Sequence, residues 1–456
     1  MRLTRRSMLR MTGGTLGSLA LLGRGRAHLG SSGPLILISR APTVQPVDDD
    51  ITLEAKNLRL LGAHDLNGFG AMGEGIAIQQ LPNGRRIAYL ANESGPIGMS
   101  VVDVTDPRNI GVIAQIPAEN EHVRFNSLSM SGNLLVVARQ TQEFGQTPAG
   151  IAIYDASEPE RLRQIAFFDT SGPASRGCHF VWFVDGRYAH LSTGMPDFIP
   201  ANPRDDQIYV IVDLQDPERP REVGRWWIPG MAAGEPPLER HPRFDNGNRL
   251  HNVNVLPSRP DRAYTAWIDG GAVILDISDP EQPRMISRWD PHPPMPGFTH
   301  TAVPHLDRGL MVVTDEAIRD NCEDHPKLVW LVNIEVETNP VPLSTAPMPD
   351  PGIYCQRGGR FGAHNQHENH EQPTAMELHY TVVASFFNAG VRIYDISNPF
   401  RPEELAFWVP KRPERSRAPS AQINDVYVDE KGLIYAIERF AGGVYILEYT
   451  GPTPLA

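Results

Sequence analysis

The sequence predicts an all-β chain folded as one seven-bladed β-propeller, its ring closed by a strand from near the N-terminus. Three observations carry this. Glycine (40) and proline (42) are abundant among 456 residues, which favours many tight turns over long helices. One short pattern recurs along the chain with a period of about 50 residues, the scale of a propeller blade. Upstream of each copy lie two further strand-like segments, giving four short strands to a unit.

Each element can be justified in turn. "MSVVDVTDPRNIGVIAQI", "IAIYDASEPERLRQIAFF", "IYVIVDLQDPERPREVGRWW", "AVILDISDPEQPRMISRW" and "VRIYDISNPFRPEELAFW" are β-branched strands ending in Asp, followed by a turn containing Pro and then a second strand. The acidic or amide residue before Pro caps a bend, and Pro itself cannot donate to a ladder. "LVWLVNIEVETNPVPLSTA" is a degenerate sixth copy, and "GGVYILEYTG" is a seventh that stops before its turn. That last unit lacks an outer strand. "LEAKNLRLLGAHD" has an outer-strand look and no preceding partner, so residues 53–62 are expected to complete the seventh blade.

The repeated pattern resembles the LVIVD repeat of exported bacterial and archaeal proteins, over nearly all of residues 50–456. The resemblance implies a propeller and says little about activity.

The first 42 residues read as an export signal and linker, leaving 43–456 for the propeller. "TRRSMLR" resembles the twin-arginine signal of bacteria, and "MTGGTLGSLALLG" behind it is only mildly apolar. This implies a twin-arginine translocase as partner during export, transport in the folded state, and a periplasmic or secreted location. Replacing Arg5 and Arg6 with lysine is expected to hold the precursor in the cytoplasm; unchanged export would point to the general secretory route. Three cysteines make no disulfide framework, although Cys322 and Cys355 could pair in an oxidising compartment. A net charge of −12 argues against a nucleic-acid surface, and no run is long enough for a membrane span.

The stretch "RLHNVNVL" opens the question of function, because a strand begins there with histidine. Aligned blade by blade, the first position of the innermost strand carries Glu74, Asn126, His179, His251, His300, His364 and Asn424. The chain has 15 histidines, so four of seven at one register is far above chance. Inner strands surround the central channel. Four imidazoles would therefore meet on the axis, where neutral nitrogen donors suit a divalent transition metal: iron first, copper or zinc as alternatives. The competing reading is a polar, water-filled channel with hydrogen-bonded histidines. The register leaves His305 as an alternative to His300, and His367 to His364. "HNQHENH" could also be a flexible metal-binding loop at the mouth.

The arrangement is similar in architecture to carotenoid-cleaving oxygenases, seven-bladed propellers with ferrous iron on four axial histidines, and to selenium-binding, methanethiol-oxidase-like proteins. The local motifs of both families are missing, so the likeness is one of architecture. Around the four candidate ligands, Glu74 is the expected catalytic residue and could be a ligand, an orienter of a histidine or a proton acceptor. Glu93, Asp315, Glu316 and Glu438, near the ends of second strands, are candidates to orient the ligands. Arg124, Arg249, Asn126 and Asn424 are candidate substrate-binding residues. Nucleophile-elbow, phosphate-loop, dinucleotide and H-E-x-x-H motifs are all lacking. Two functions follow: a metal-dependent oxidoreductase or dioxygenase acting on a small organic substrate, or a non-catalytic exported propeller that binds a protein, glycan or ligand.

Overall fold

In the computed structural model, described here for residues 51–456, seven antiparallel sheets form a seven-bladed propeller. The expected export segment lies outside the described residues. Blade one consists of Met72–Gln80, Arg86–Asn92, Ile97–Asp103 and Gly111–Pro117, from the inside outwards. Blades three, four and five repeat the plan, starting at Cys178–Trp182, Val253–Asn254 and Thr299–His305. Blade two has a divided inner strand, Val123–Arg124 and Leu128–Ser131. Blade six has an irregular segment in the inner position, tied on by a bridge between Gln366 and Ala384.

The recurring turn has the expected cause, built twice over. The strand-final Asp103, Asp155, Asp213, Asp276 and Asp395 each accept the backbone N–H two residues on. Where the residue before Pro is Asp106, Asp279 or Asn398, its side chain does the same again. Both carboxyl and amide oxygens suit this local bond, which fixes the bend into the outer strand.

Ring closure departs from the expectation in detail. The segment expected as one strand over residues 53–62 is two. Leu58–His64 pairs with Gly443–Tyr449 and completes blade seven, whereas Thr52–Lys56 pairs with Glu403–Pro410 and extends blade six. The hinge is Asn57, which adopts φ 55°, a left-handed conformation that Asn tolerates. Its side-chain amide donates to the Leu405 carbonyl at 2.8 Å, and its own carbonyl accepts from Thr450 N–H at 2.9 Å. One short strand pair therefore ties the two last blades together.

Apolar cores lie between neighbouring blades, with Trp182, Trp267 and Trp408 among the largest fully buried side chains. Cys322 and Cys355 form a disulfide, and Cys178 is free and buried. Among the described residues no helix is long and apolar enough to cross a membrane.

Candidate metal centre

The slot residues share a backbone feature. In blades one, three, five and seven the pairing of inner and second strands slips at the slot, between Met72 and Ile76, Cys178 and Phe180, Thr299 and Thr301, and Ile423 and Asp425. In blade four, His251 N–H donates to the Ala266 carbonyl while Ala266 N–H donates to Asn252, two residues facing one. Blade six does likewise, with His364 and Asn365 facing Ser385. This is the β-bulge pattern: the extra residue leaves the ladder and its side chain is re-aimed, here toward the axis.

The four imidazoles stand side by side. Ring centroids are 4.4 Å apart for His179–His251, 3.9 Å for His251–His300 and 4.3 Å for His300–His364. Each Nδ1 is held from outside, by Gln140 Oε1 at 2.9 Å, Asn252 Oδ1 at 2.8 Å, Thr301 Oγ1 at 2.9 Å and the Asn424 carbonyl at 2.6 Å respectively. An amide or carbonyl oxygen takes a proton from Nδ1 and leaves the Nε2 lone pair facing inward. These partners are neutral, where carboxylates were expected to orient the far nitrogens.

The carboxylates sit on the inward side instead. Glu74 Oε2 is 3.9 Å from His179 Nε2 and 3.6 Å from His300 Nε2, and Glu74 Oε1 is 3.4 Å from His364 Nε2. Glu316 lies 3.9 Å from the Nε2 atoms of His251 and His300, and 3.6 Å from that of His364. Two overlapping donor groups result, Glu74–His251–His300 and His300–Glu316–His364, all buried and sharing His300.

Two features ask for a cation. The Nε2 atoms of His179 and His251 face each other at 3.0 Å. Two imidazoles bonded to one ion at a right angle stand about 3.0 Å apart, given bonds of about 2.1 Å. Moreover, His300 Nε2, His364 Nε2 and Glu74 Oε2 are buried without a hydrogen-bond partner. Electrostatics agrees. Burial holds His179 and His364 below the ordinary range and pushes His251 down to about 3, so neutral rings are favoured. Burial alone would raise Glu74 and Glu316; the imidazoles, with Arg360 beside Glu316, outweigh it, holding Glu74 well below its usual value and Glu316 at about 2. Neutral rings at His179, His251 and His364 leave lone pairs beside two ionised carboxylates. A metal cation satisfies both.

Comparison with known proteins adds to the fold. Residues 261–290, the second to fourth strands of blade four, match the family model of the LVIVD repeat. The chain carries an LVIVD repeat. Its structure is similar to the β-propeller domain of Cps50 (Swd1) from Myceliophteria thermophila, at 14% identity and a TM-score of 0.47, covering 82% of this chain and 96% of that one. No curated protein matches the chain.

Within this LVIVD-repeat propeller the other expected residues take varied places. Asn424 is committed to the framework: its amide donates to the Gly73 carbonyl at 2.6 Å and accepts from Arg439 at 2.9 Å. Asn126 lies against the His179 ring with its side-chain nitrogen at 3.4 Å, while its backbone carbonyl accepts from Glu74 N–H. The Asn424 amide is thus taken up by the fold, whereas that of Asn126 faces the His179 ring. Arg249 donates to the carbonyls of Arg204 and Asn246, whereas Arg124 bonds Glu93 and Gln140 beside the site. Asp315 accepts from Leu328 N–H and the Trp330 indole, and Glu438 from four backbone N–H groups around residues 422 and 440–442. Both are engaged away from the imidazoles and serve the turns. His305 lies at the far end of its strand. His367 bonds the Met376 carbonyl and the Val428 N–H, and His370 stacks on Trp182 at 4.9 Å. The histidine-rich stretch is thus packed into the fold. His190 is buried against Tyr209, while His379 lies in the bend before Thr381–Ser385, on no strand.

Sequence reading placed Glu316 only behind the ligands, yet it faces them. A second register would have ranked it higher. Asn92, Thr193, Asp315 and Glu438 pair with the residue opening the slot region. The residue after each is Glu93, Gly194, Glu316 or Arg439, and three of these four are charged groups at or beside the centre.

Proposed function

We propose that this propeller is a metal-dependent oxidoreductase acting on a small organic substrate. His179, His251, His300 and His364 would hold the metal, with Glu74 and Glu316 inside reach of it. The 3.0 Å approach of two inward Nε2 atoms, beside three buried unpartnered donors, carries the reading. A donor set of neutral nitrogens with carboxylate oxygens suits iron, copper or zinc. Such an ion supplies Lewis acidity, and one-electron chemistry if it is iron or copper. The protein's own part is to hold each Nδ1 from outside and to offer Glu74 Oε2 as a proton acceptor at the centre. The Cys322–Cys355 disulfide supports export to an oxidising compartment, in keeping with the signal at Arg5 and Arg6.

Elemental analysis of the untagged protein, prepared without chelators, tests this. The expected result is about one first-row transition metal per chain, given one set of converging nitrogens. Protein that stays empty after incubation with iron(II), copper(II) and zinc(II) in turn would remove the metal reading and leave a binding propeller.

A further inference from the structure

Above the imidazoles lies a cavity of about 500 Å³ walled by Arg124, Arg176, Arg360, Arg417, Arg439 and Glu93. Its walls connect to the metal centre through single hydrogen-bonded residues. Arg360 donates to Glu316 Oε1 at 2.7 Å, and that carboxylate lies 3.6 Å from His364 Nε2. Arg124 bonds Gln140, which in turn holds His179 Nδ1, and Arg439 bonds Asn424, whose carbonyl holds His364 Nδ1. The cavity is thus one residue removed from three members of the site.

The charges do not balance. Glu93 serves both Arg124 and Arg439, Asp206 serves Arg176, and Glu316 serves Arg360. Arg417 lies over the Phe440 ring at 5.0 Å and has no carboxylate partner among the described residues. Five guanidinium groups line the cavity against one lining carboxylate, Glu93, in a chain whose net charge is −12. Side chains of Arg124, Arg176 and Arg360 are about a quarter exposed, so their remaining N–H groups reach the cavity. Burial, and then the nearby Arg439, lower the basicity of Arg124 and Arg360, although Glu93 and Glu316 partly offset this.

We propose that this vestibule binds the oxyanion of a small substrate, a dianionic organic carboxylate or phosphate ester, and so aims its body at the metal centre. The volume lies in the range of small-molecule sites, and guanidinium forks match carboxylate and phosphate oxygens. Several guanidinium forks facing one cavity favour a ligand with more than one anionic group. Cast as substrate recognition, this rests on the metal-centre reading, but anion binding can be measured without it.

The experiment is calorimetric titration of the full chain at low ionic strength, with and without bound metal, using succinate, inorganic phosphate and the neutral succinamide. Succinate or phosphate should bind and succinamide should not; the stronger of the two tells carboxylate from phosphoryl recognition. The double substitution Arg176→Gln/Arg417→Gln should weaken binding by about tenfold, the scale of one lost charge-assisted bond, while metal content stays unchanged. Arg417→Gln alone, at an exposed position, should weaken it by about threefold and serves if the double variant does not fold. No binding by either anion, or equal binding by these variants, overturns the proposal. Anion binding by a protein that takes up no metal would leave the vestibule standing and remove the centre; metal uptake without anion binding would do the reverse.

Discussion

Replacing His300 with glutamine is expected to empty the metal centre. His300 belongs to both donor groups, and its ring is wholly buried with Nε2 unpartnered. Losing merely an outer hydrogen-bond partner of a ligand costs about 10–100-fold in metal affinity, so losing the shared ligand should cost at least that. Elemental analysis after identical loading should find below about a tenth of the wild-type occupancy, given a loss of that size. Glutamine keeps most of the volume, so the loss will not merely report a cavity. His379→Gln is the matched control: that ring is exposed, bonds Asp307 and lies outside the channel, and its occupancy should be unchanged. Equal metal in both variants would sink the assignment of the axial histidines as ligands.

Arg86→Ala should be the most destabilising single substitution outside the centre. The Arg86 guanidinium joins blade one to blade seven, reaching Asp429 Oδ2 at 2.8 Å and Glu430 Oε1 at 2.6 Å. Arg86 and Asp429 are almost fully buried. Breaking such a pair from one side leaves a buried charge uncompensated, and a loss of about 3–5 kcal/mol is expected. Urea unfolding with the disulfide intact measures it. Arg86→Met combined with Asp429→Asn, which removes both charges, should lose clearly less. A loss below about 1 kcal/mol for Arg86→Ala, the scale of an exposed pair, would show that this ion pair contributes little to ring closure.

The blade count was legible because five blades write the same local chemistry, an Asp at the strand end capping the turn two residues on, and Asn333 does so in a sixth. Register at the axis was legible too, since a histidine in an otherwise apolar inner strand is conspicuous. What sequence hid is informative in physical terms. Asn57 splits the closing segment through one left-handed residue, which no alternation pattern marks. Glu316 and Arg439 follow second strands, where a charged residue usually meets solvent, and only the ring's curvature turns them inward. Asn424 looked like a free amide at the channel, but Arg439 of its own blade occupies one end, and Gly73 the other across a blade boundary that only closure creates. Contacts within a blade can be read from spacing; contacts across the ring cannot.

The bulges have a consequence for how such a centre could change over time. A residue standing outside its ladder can be exchanged without re-registering any strand, so its chemistry is uncoupled from folding. Seven blades therefore present seven interchangeable sockets, filled here by four imidazoles, two amides and one carboxylate. Converting Asn126 to histidine would alter the count of nitrogen donors on the axis, whereas Asn424 is tied to the Gly73 carbonyl and to Arg439 and is less readily exchanged. In this architecture a coordination sphere can be composed one blade at a time.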